Sequence, residues 1–132
     1  MQTVNPSRAQ LDYVLNQPGD KGPFVMVNLL KFKPWVEETG ESGKEAYDRY
    51  GYNTMPVLKR YGAKVLWNGP VLASFIGSDD SWDRVLLVEY PSFQAFRDMI
   101  SDPEYQEVQK DRERALQSCQ LLICEDGNQA AV

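Results

Sequence analysis

The sequence predicts an α+β fold in which a small antiparallel sheet carries helices on one face. Two features predict it. Four apolar runs, at 24–33, 63–75, 82–90 and 119–124, have the large and β-branched composition of strands and are mostly bounded by Gly, Pro or polar turns. The stretches at 44–61 and 93–116 instead repeat apolar residues every three or four positions, which is the helical period. With 132 residues the chain suits one domain, a size at which about two-thirds of the unfolded surface is buried. The division expected is an N-terminal helical extension over 1–22, the sheet-bearing part over 23–125 and a frayed tail over 126–132.

The N-terminal segment reads as a short helix. Asn5 is its expected cap, Pro6 its first residue, Leu11, Val14 and Leu15 its apolar stripe, and Gln17-Pro18-Gly19 its end. The first strand, 24–33, lies between Gly22-Pro23 and Pro34, and 35–43 is a polar loop. In the helix at 44–61, Ala46, Tyr47, Tyr50, Thr54, Val57, Leu58 and Tyr61 form the stripe. Pro56 removes one ladder hydrogen bond, which predicts a kink near 52–55, and Gly62 is placed to end the helix.

Gly69-Pro70 cannot sit in the middle of a fully paired ladder, so the second strand is an edge strand or carries a bulge. Ser92 caps the helix after the third strand. Ser101 begins a second capping pattern, with Pro103 in the first turn and Glu104 as the reciprocal carboxylate. Tyr105, Val108, Arg112, Ala115 and Leu116 continue that helix, with the aliphatic stem of Arg112 along the core edge. The fourth strand follows.

Apart from the first helix, the order is strand, helix, strand, strand, helices, strand: the ferredoxin-like split βαβ pattern. It places strands one and three at the centre of the sheet and two and four at its edges. The central pair is apolar on both faces, yet helices cover only one. Leaving three or four Val or Leu side chains in water forgoes about 1.5–3 kcal/mol each, so a second copy packed sheet to sheet is the expected cover. The alternative is a monomer covered by the N-terminal helix.

Composition narrows function. Nineteen acidic against fourteen basic residues give a formal charge of −5, and Lys59/Arg60/Lys64 and Lys110/Arg112/Arg114 read as solvated helix faces; no nucleic-acid partner is expected. No apolar run approaches the roughly 20 residues of a membrane span, and the first residues lack the basic and apolar regions of a secretion signal, so no membrane partner and a cytoplasmic location are expected. The chain has no histidine, which removes histidine-ligated haem, the usual catalytic zinc sets and Ser-His or Cys-His nucleophiles. Cys119 and Cys124, five apart on one strand, point to opposite faces about 16 Å apart and cannot bridge. Asp79, Asp80 and Asp83 lack the glycine and distal glutamate of a calcium loop and read as a solvated hairpin. No metal and no cofactor is expected.

The series Glu45-Ala46-Tyr47 with Tyr50, then Met55-Pro56-Val57-Leu58, Tyr61-Gly62-Ala63, Asn68-Gly69, Arg84-Val85 with Leu87 to Ser92, and Ser101 to Gln106 with Arg112, resembles the domain-of-unknown-function 1330 family. The likeness runs from Glu45 to about Ile123, and its most specific element is strand-Pro-Ser-helix followed by Ser-x-Pro-Glu-Tyr. Ala63 and Asn68 depart from the glycines usual in the family, and the first helix and the loop before Lys44 read as additions. The resemblance implies a dimeric α+β barrel, with a crevice between the tyrosine-rich helix and the sheet.

The residues expected to line that crevice are Tyr47, Tyr50 and Tyr61 from the helix and Asn28, Trp67, Ser74 and Arg84 from the sheet. An aromatic-lined concavity with a few polar groups is the general form of a small-molecule site, although tyrosines at helical spacing also simply pack cores. Arg84 either grips a ligand carboxylate at two points or pairs with Glu89 or a helix carboxylate. Asn28 either meets a ligand or makes a structural hydrogen bond. Two functions are compatible with this set: handling of a small metabolite, for example as an isomerase or cofactor-independent oxygenase, and a dimer that binds or interacts without catalysis.

Overall fold

The computed structural model describes residues 4–78 and 82–127. Its elements are α1 (Arg8–Leu15), β1 (Phe24–Phe32), α2 (Gly43–Arg60), β2 (Lys64–Pro70), β3 (Arg84–Tyr90), α3 (Phe93–Ser101), α4 (Pro103–Ala115) and β4 (Leu116–Glu125). The four strands form one open antiparallel sheet in the order β2-β3-β1-β4, so the central and edge positions are those expected from composition. Alternation along β1 sends Phe24, Met26, Asn28 and Leu30 under the helices, and their partners Tyr90, Val88, Leu86 and Arg84 on β3 share that face. Phe24 and Tyr90 stack, and Phe93 stacks on Phe24 from the start of α3.

Several boundaries differ from the sequence reading, each for a local reason. Asn5 and Pro6 precede α1. Ser7 caps it instead, because Ser7 and Gln10 satisfy each other's backbone N–H groups at 3.2 and 2.9 Å. A second such box, Ser42 with Glu45, starts α2 one residue before the expected start. α2 then runs unbroken through Pro56; Tyr52, whose carbonyl loses its helical donor, is 82% exposed and open to water. Its end is as expected: Gly62 takes φ +76°, and the N–H groups of Gly62 and Ala63 bond back to Lys59 and Leu58.

The Ser101–Glu104 box does not form. Asp102 caps α4 by accepting from the Glu104 N–H, and the Glu104 carboxylate pairs with Arg60. β4 is ten residues long rather than six, because its pairing with β1 continues from Phe24 to Phe32; Leu116 opens this strand instead of extending the helical stripe. Arg112 does more than lay its stem along the core edge. Its guanidinium is itself buried, donating to the Val4 carbonyl at 2.8 Å and to Cys119 Sγ at 3.5 Å.

The second strand ends at Pro70, five residues short of the reading, and residues 71–78 leave the sheet with Leu72, Phe75 and Ile76 almost fully exposed. It is both an edge and bulged, between Val65 and Trp67. The third strand starts two residues later than read. Asp83, assigned to a solvated hairpin, instead accepts from the Phe32 N–H at 2.8 Å and so ties β3's start to β1's end. Asp79 and Asp80 of that reading, and 128–132 of the expected tail, lie outside the described residues. Cys119 and Cys124 are free thiols.

Between the end of β1 and the start of α2 the chain returns on itself through a bridge between Val36 and Glu41, and Val36 is buried against Leu30 and Tyr47. The polar loop therefore contributes to the core. Its end is Gly43, whose N–H bonds to Lys33 O at 2.9 Å while Lys33 N–H bonds to Ala115 O at 2.8 Å. A Cβ there would fall against both carbonyl oxygens. Arg49 on α2 completes the junction by binding Glu41 at both carboxylate oxygens and Asp111 of α4.

Gly43→Ala is expected to lower unfolding free energy in urea by about 1–3 kcal/mol through overpacking, the reverse of what helix propensity alone implies. A variant as stable as the parent would contradict the close approach. The Arg49 hydrogen bonds lower Glu41 from 4.5 to about 2 and also lower Asp111. Groups depressed on folding contribute stability above their unfolded pKa and lose it as pH falls through the folded value. Arg49→Met should therefore melt lower than the parent at pH 7, and the gap should close as pH falls from about 4.5 toward 2; a pH-independent gap would mean that Arg49 acts through packing alone.

Candidate functional site

α2 crosses the sheet face formed by β1, β3 and β2 and leaves a crevice of about 250 Å³ against it. Four of the seven expected residues meet there: Asn28, Tyr47, Tyr50 and Arg84. Asn28 is 8% exposed and faces the helix because alternation on β1 places it between Met26 and Leu30. Its amide nitrogen donates to Met26 O at 3.2 Å and Leu86 O at 3.1 Å, so the structural bond foreseen as one alternative is present.

Arg84 also takes its protein partner. One guanidinium nitrogen donates to Asp48 Oδ1 of α2 at 2.9 Å, and the group lies over the rings of Phe32 and Tyr47, at 5.1 and 5.8 Å. Asp48 is held in addition by Lys44 at 2.8 Å. Burial alone would raise the Asp48 carboxyl, but the bonds from Lys44 and Arg84 outweigh it and keep the group below the usual carboxylate range.

The tyrosines divide. Tyr47 is buried, and burial pushes its hydroxyl well above the ordinary range, as it does for Tyr50. Tyr50 hydrogen-bonds Tyr105 of α4, hydroxyl to hydroxyl, at 3.0 Å. Tyr61 lies elsewhere. It donates to Asp102 at 2.6 Å and pins the end of α2 to the cap of α4.

Trp67 and Ser74 are also absent from the lining. Counting by twos from Val65, which lines the crevice, puts Trp67 on the helix side, but the bulge between them adds a residue and inverts the alternation. Val65 and Asn68 then face the crevice, paired with Val88 and Leu86, while Trp67 pairs with Leu87 on the far face, 52% exposed. Gly69 lets the indole fold back, since a Cβ there would stand 2.7 Å from the ring. Ser74 belongs to the exposed segment beyond β2.

Thr54, Tyr90 and Asp48 also line the crevice. Thr54 was legible, since it follows Tyr47 and Tyr50 on the same helical stripe. Tyr90 was legible by alternation from Arg84 on β3. Asp48 was not, because a carboxylate next to the stripe reads as solvated. The Tyr90 hydroxyl is pushed up by burial. Among the described residues no three His, Cys, Asp or Glu side chains come together as a metal set.

The sequence profile described as Domain of unknown function (DUF1330) matches residues 35–126. The chain belongs to the DUF1330 family. The match takes in the loop before Lys44. A DUF1330 chain with this architecture has a similar solved structure in a protein of unknown function from Rhodopseudomonas palustris, with 34% identity, a TM-score of 0.88 and coverage of 96% of this chain and 98% of that one. Because nearly the whole chain aligns, α1 is shared with that protein. A dimeric protein of unknown function and ferredoxin-like fold from Bacteroides fragilis is 14% identical, with a TM-score of 0.54 over 80% of this chain and 98% of that one. An uncharacterized NIPSNAP domain protein from Burkholderia xenovorans is 10% identical, with a TM-score of 0.55 over 83% and 99%. These last two support the fold alone. No curated protein matches the chain.

Because Asp48 occupies Arg84, replacing it should release the guanidinium. A charge-assisted hydrogen bond is worth about 1.5–3 kcal/mol, so Asp48→Asn is expected to tighten benzoate binding roughly tenfold or more in isothermal titration. Equal affinity in both proteins would show that Asp48 does not shield Arg84.

Proposed function

We propose that this DUF1330 protein handles a small metabolite in the crevice between α2 and the sheet, and that it does so as a homodimer with no metal or histidine in the chemistry. The observation that carries this reading is the convergence of Asn28, Tyr47, Tyr50 and Arg84 on one concave, partly apolar space, walled by Leu58, Leu86 and Val88. Polar groups fixed on a rigid strand and helix are suited to orient a ligand and stabilise charge on it.

Binding without turnover is the second reading, and the site's electrostatics favour it. Tyr47, Tyr50 and Tyr90 are pushed above their ordinary range and Asp48 is held below its own, so these groups are displaced away from the near-neutral pKa that suits acid–base catalysis.

The dimer rests on the far face of the sheet. Val25, Val27 and Leu29 of β1 and Val85 and Leu87 of β3 lie there half-buried, with Leu122 and Trp67 exposed. α1 does not cover them; it packs against α3, with Val14 in the core on the helix side. A second sheet on this face supplies the missing cover and closes an α+β barrel across two chains.

Saturation-transfer NMR with a panel of small hydroxylated and carboxylated compounds should detect binders in the parent protein and lose them in Met55→Trp, which fills the crevice rim from an exposed position. Binders unaffected by that substitution would place the ligand elsewhere. Turnover of a bound compound, lost in Arg84→Ala with the fold retained, separates an enzyme from a binding protein. Sedimentation at low micromolar concentration is expected to give a dimer that Leu87→Lys dissociates; a parent monomer removes the sheet-to-sheet interface.

A further inference from the structure

Resting on the crevice as the ligand site, we propose that its occupant is an uncharged, single-ring-sized molecule that donates a hydrogen bond to Asn28 Oδ1, rather than a carboxylate. At about 250 Å³ the space falls below the roughly 300–1,000 Å³ of drug-sized pockets, which sets the size.

The polarity of the recognition follows from the Asn28 amide. Its nitrogen faces two carbonyl oxygens, of Met26 and Leu86, so the opposite orientation would set oxygen against oxygen. The amide is therefore locked with Oδ1 on its other branch. Among the described residues nothing donates to that oxygen, and Asn28 lines the crevice. An oxygen acceptor without a partner selects a ligand O–H or N–H.

Thr54 is a second unmatched polar residue beside the crevice. It is 3% exposed at the crevice wall, and its hydroxyl has no hydrogen-bond partner among the described residues, not even the preceding-turn carbonyl that helical threonines commonly use. A buried hydroxyl left unpaired lowers stability; this one is closed off from water, so a bound polar group reaches it only if the side chain turns about χ1 toward the crevice that Thr54 lines. Tyr47 and Tyr90 line the same space, their hydroxyls have no protein hydrogen bond among the described residues, and burial keeps both protonated and neutral.

Charge decides against an anion. Among the described residues the one cation lining the crevice is Arg84, which already bonds Asp48, so an entering carboxylate would meet the negative charge of Asp48 beside it and lose its own water against Leu86 and Val88. Leu58, Val65, Leu86 and Val88 present apolar surface that matches a ring.

Phenol, anisole and benzoate test this: one ring with a donor, one with an acceptor only, one with a negative charge. In ¹⁵N-labelled protein, phenol should shift the Asn28 side-chain amide resonance and bind at least about tenfold tighter than anisole or benzoate, as a site built to pair with a hydroxyl discriminates against analogues that lack it. Thr54→Val should melt higher than the parent yet bind phenol more weakly, a pairing of effects that a purely structural threonine does not produce. Anisole equal to phenol, or benzoate tighter than phenol, overturns the inference and leaves the crevice as a ligand site. If none of the three perturbs Asn28 and no other compound binds in a Met55-sensitive way, the crevice reading falls as well.

Discussion

The close approach at Gly43 is the constraint on which the rest of the structure depends. Three backbone segments meet there: the end of β1 at Lys33, the start of α2, and the turn from α4 into β4 at Ala115. Hydrogen bonds join Gly43 to Lys33 and Lys33 to Ala115, and the missing side chain lets the backbones touch. That contact sets the height and starting point of α2 above the sheet. Four residues later Tyr47 lies on the core, and eleven residues later Thr54 reaches the crevice wall. Arg49, bridging Glu41 and Asp111, holds the same junction from outside.

The consequence is a helix that seals one part of the sheet and stands away from another. Near Gly43 the packing of Leu30, Val36, Ala46, Tyr47 and Leu116 is tight. Toward the edge strand β2, the covering side chains no longer close on the sheet, and Asn28, Thr54, Tyr47 and Tyr90 are among the residues that line the remaining space. Other polar side chains on this face, including Arg84, Asp48 and Tyr50 at the crevice itself, are matched within the protein: Arg84 with Asp48, Tyr50 with Tyr105, Tyr61 with Asp102 and Arg112 with Val4 and Cys119. What sets the crevice apart is the presence there of polar atoms without a protein partner, such as Asn28 Oδ1, rather than the number of tyrosines.

Much of the fold was legible because it rests on local signals. Alternation in β1, three-to-four spacing in α2, Gly62 at the helix end and Ser92 as a cap act within a few residues of where they are written. The strand order followed from comparing edges and centres, since Gly69-Pro70 excludes β2 from the middle. Caps with two chemically adequate candidates were misplaced, as at Asn5 against Ser7 and Ser101 against Asp102, because geometry a few residues away chooses between them. The length of β4 was missed because it is set by its partner β1 across the sheet and not by its own composition.

For the site, residue type and period identified Asn28, Tyr47, Tyr50 and Arg84 as inward-facing groups on neighbouring elements. By itself the sequence determined the α+β pattern, the family and the absence of histidine chemistry, because these depend on composition and local period. Only the tertiary structure decided which inward-facing groups find partners. One extra residue in β2 turned Trp67 away, Asp48 reached across to neutralise Arg84, and the carbonyls of Met26 and Leu86 set the direction of the Asn28 amide. Such pairings join residues far apart in the chain at hydrogen-bond distance, and no periodicity along the sequence specifies them.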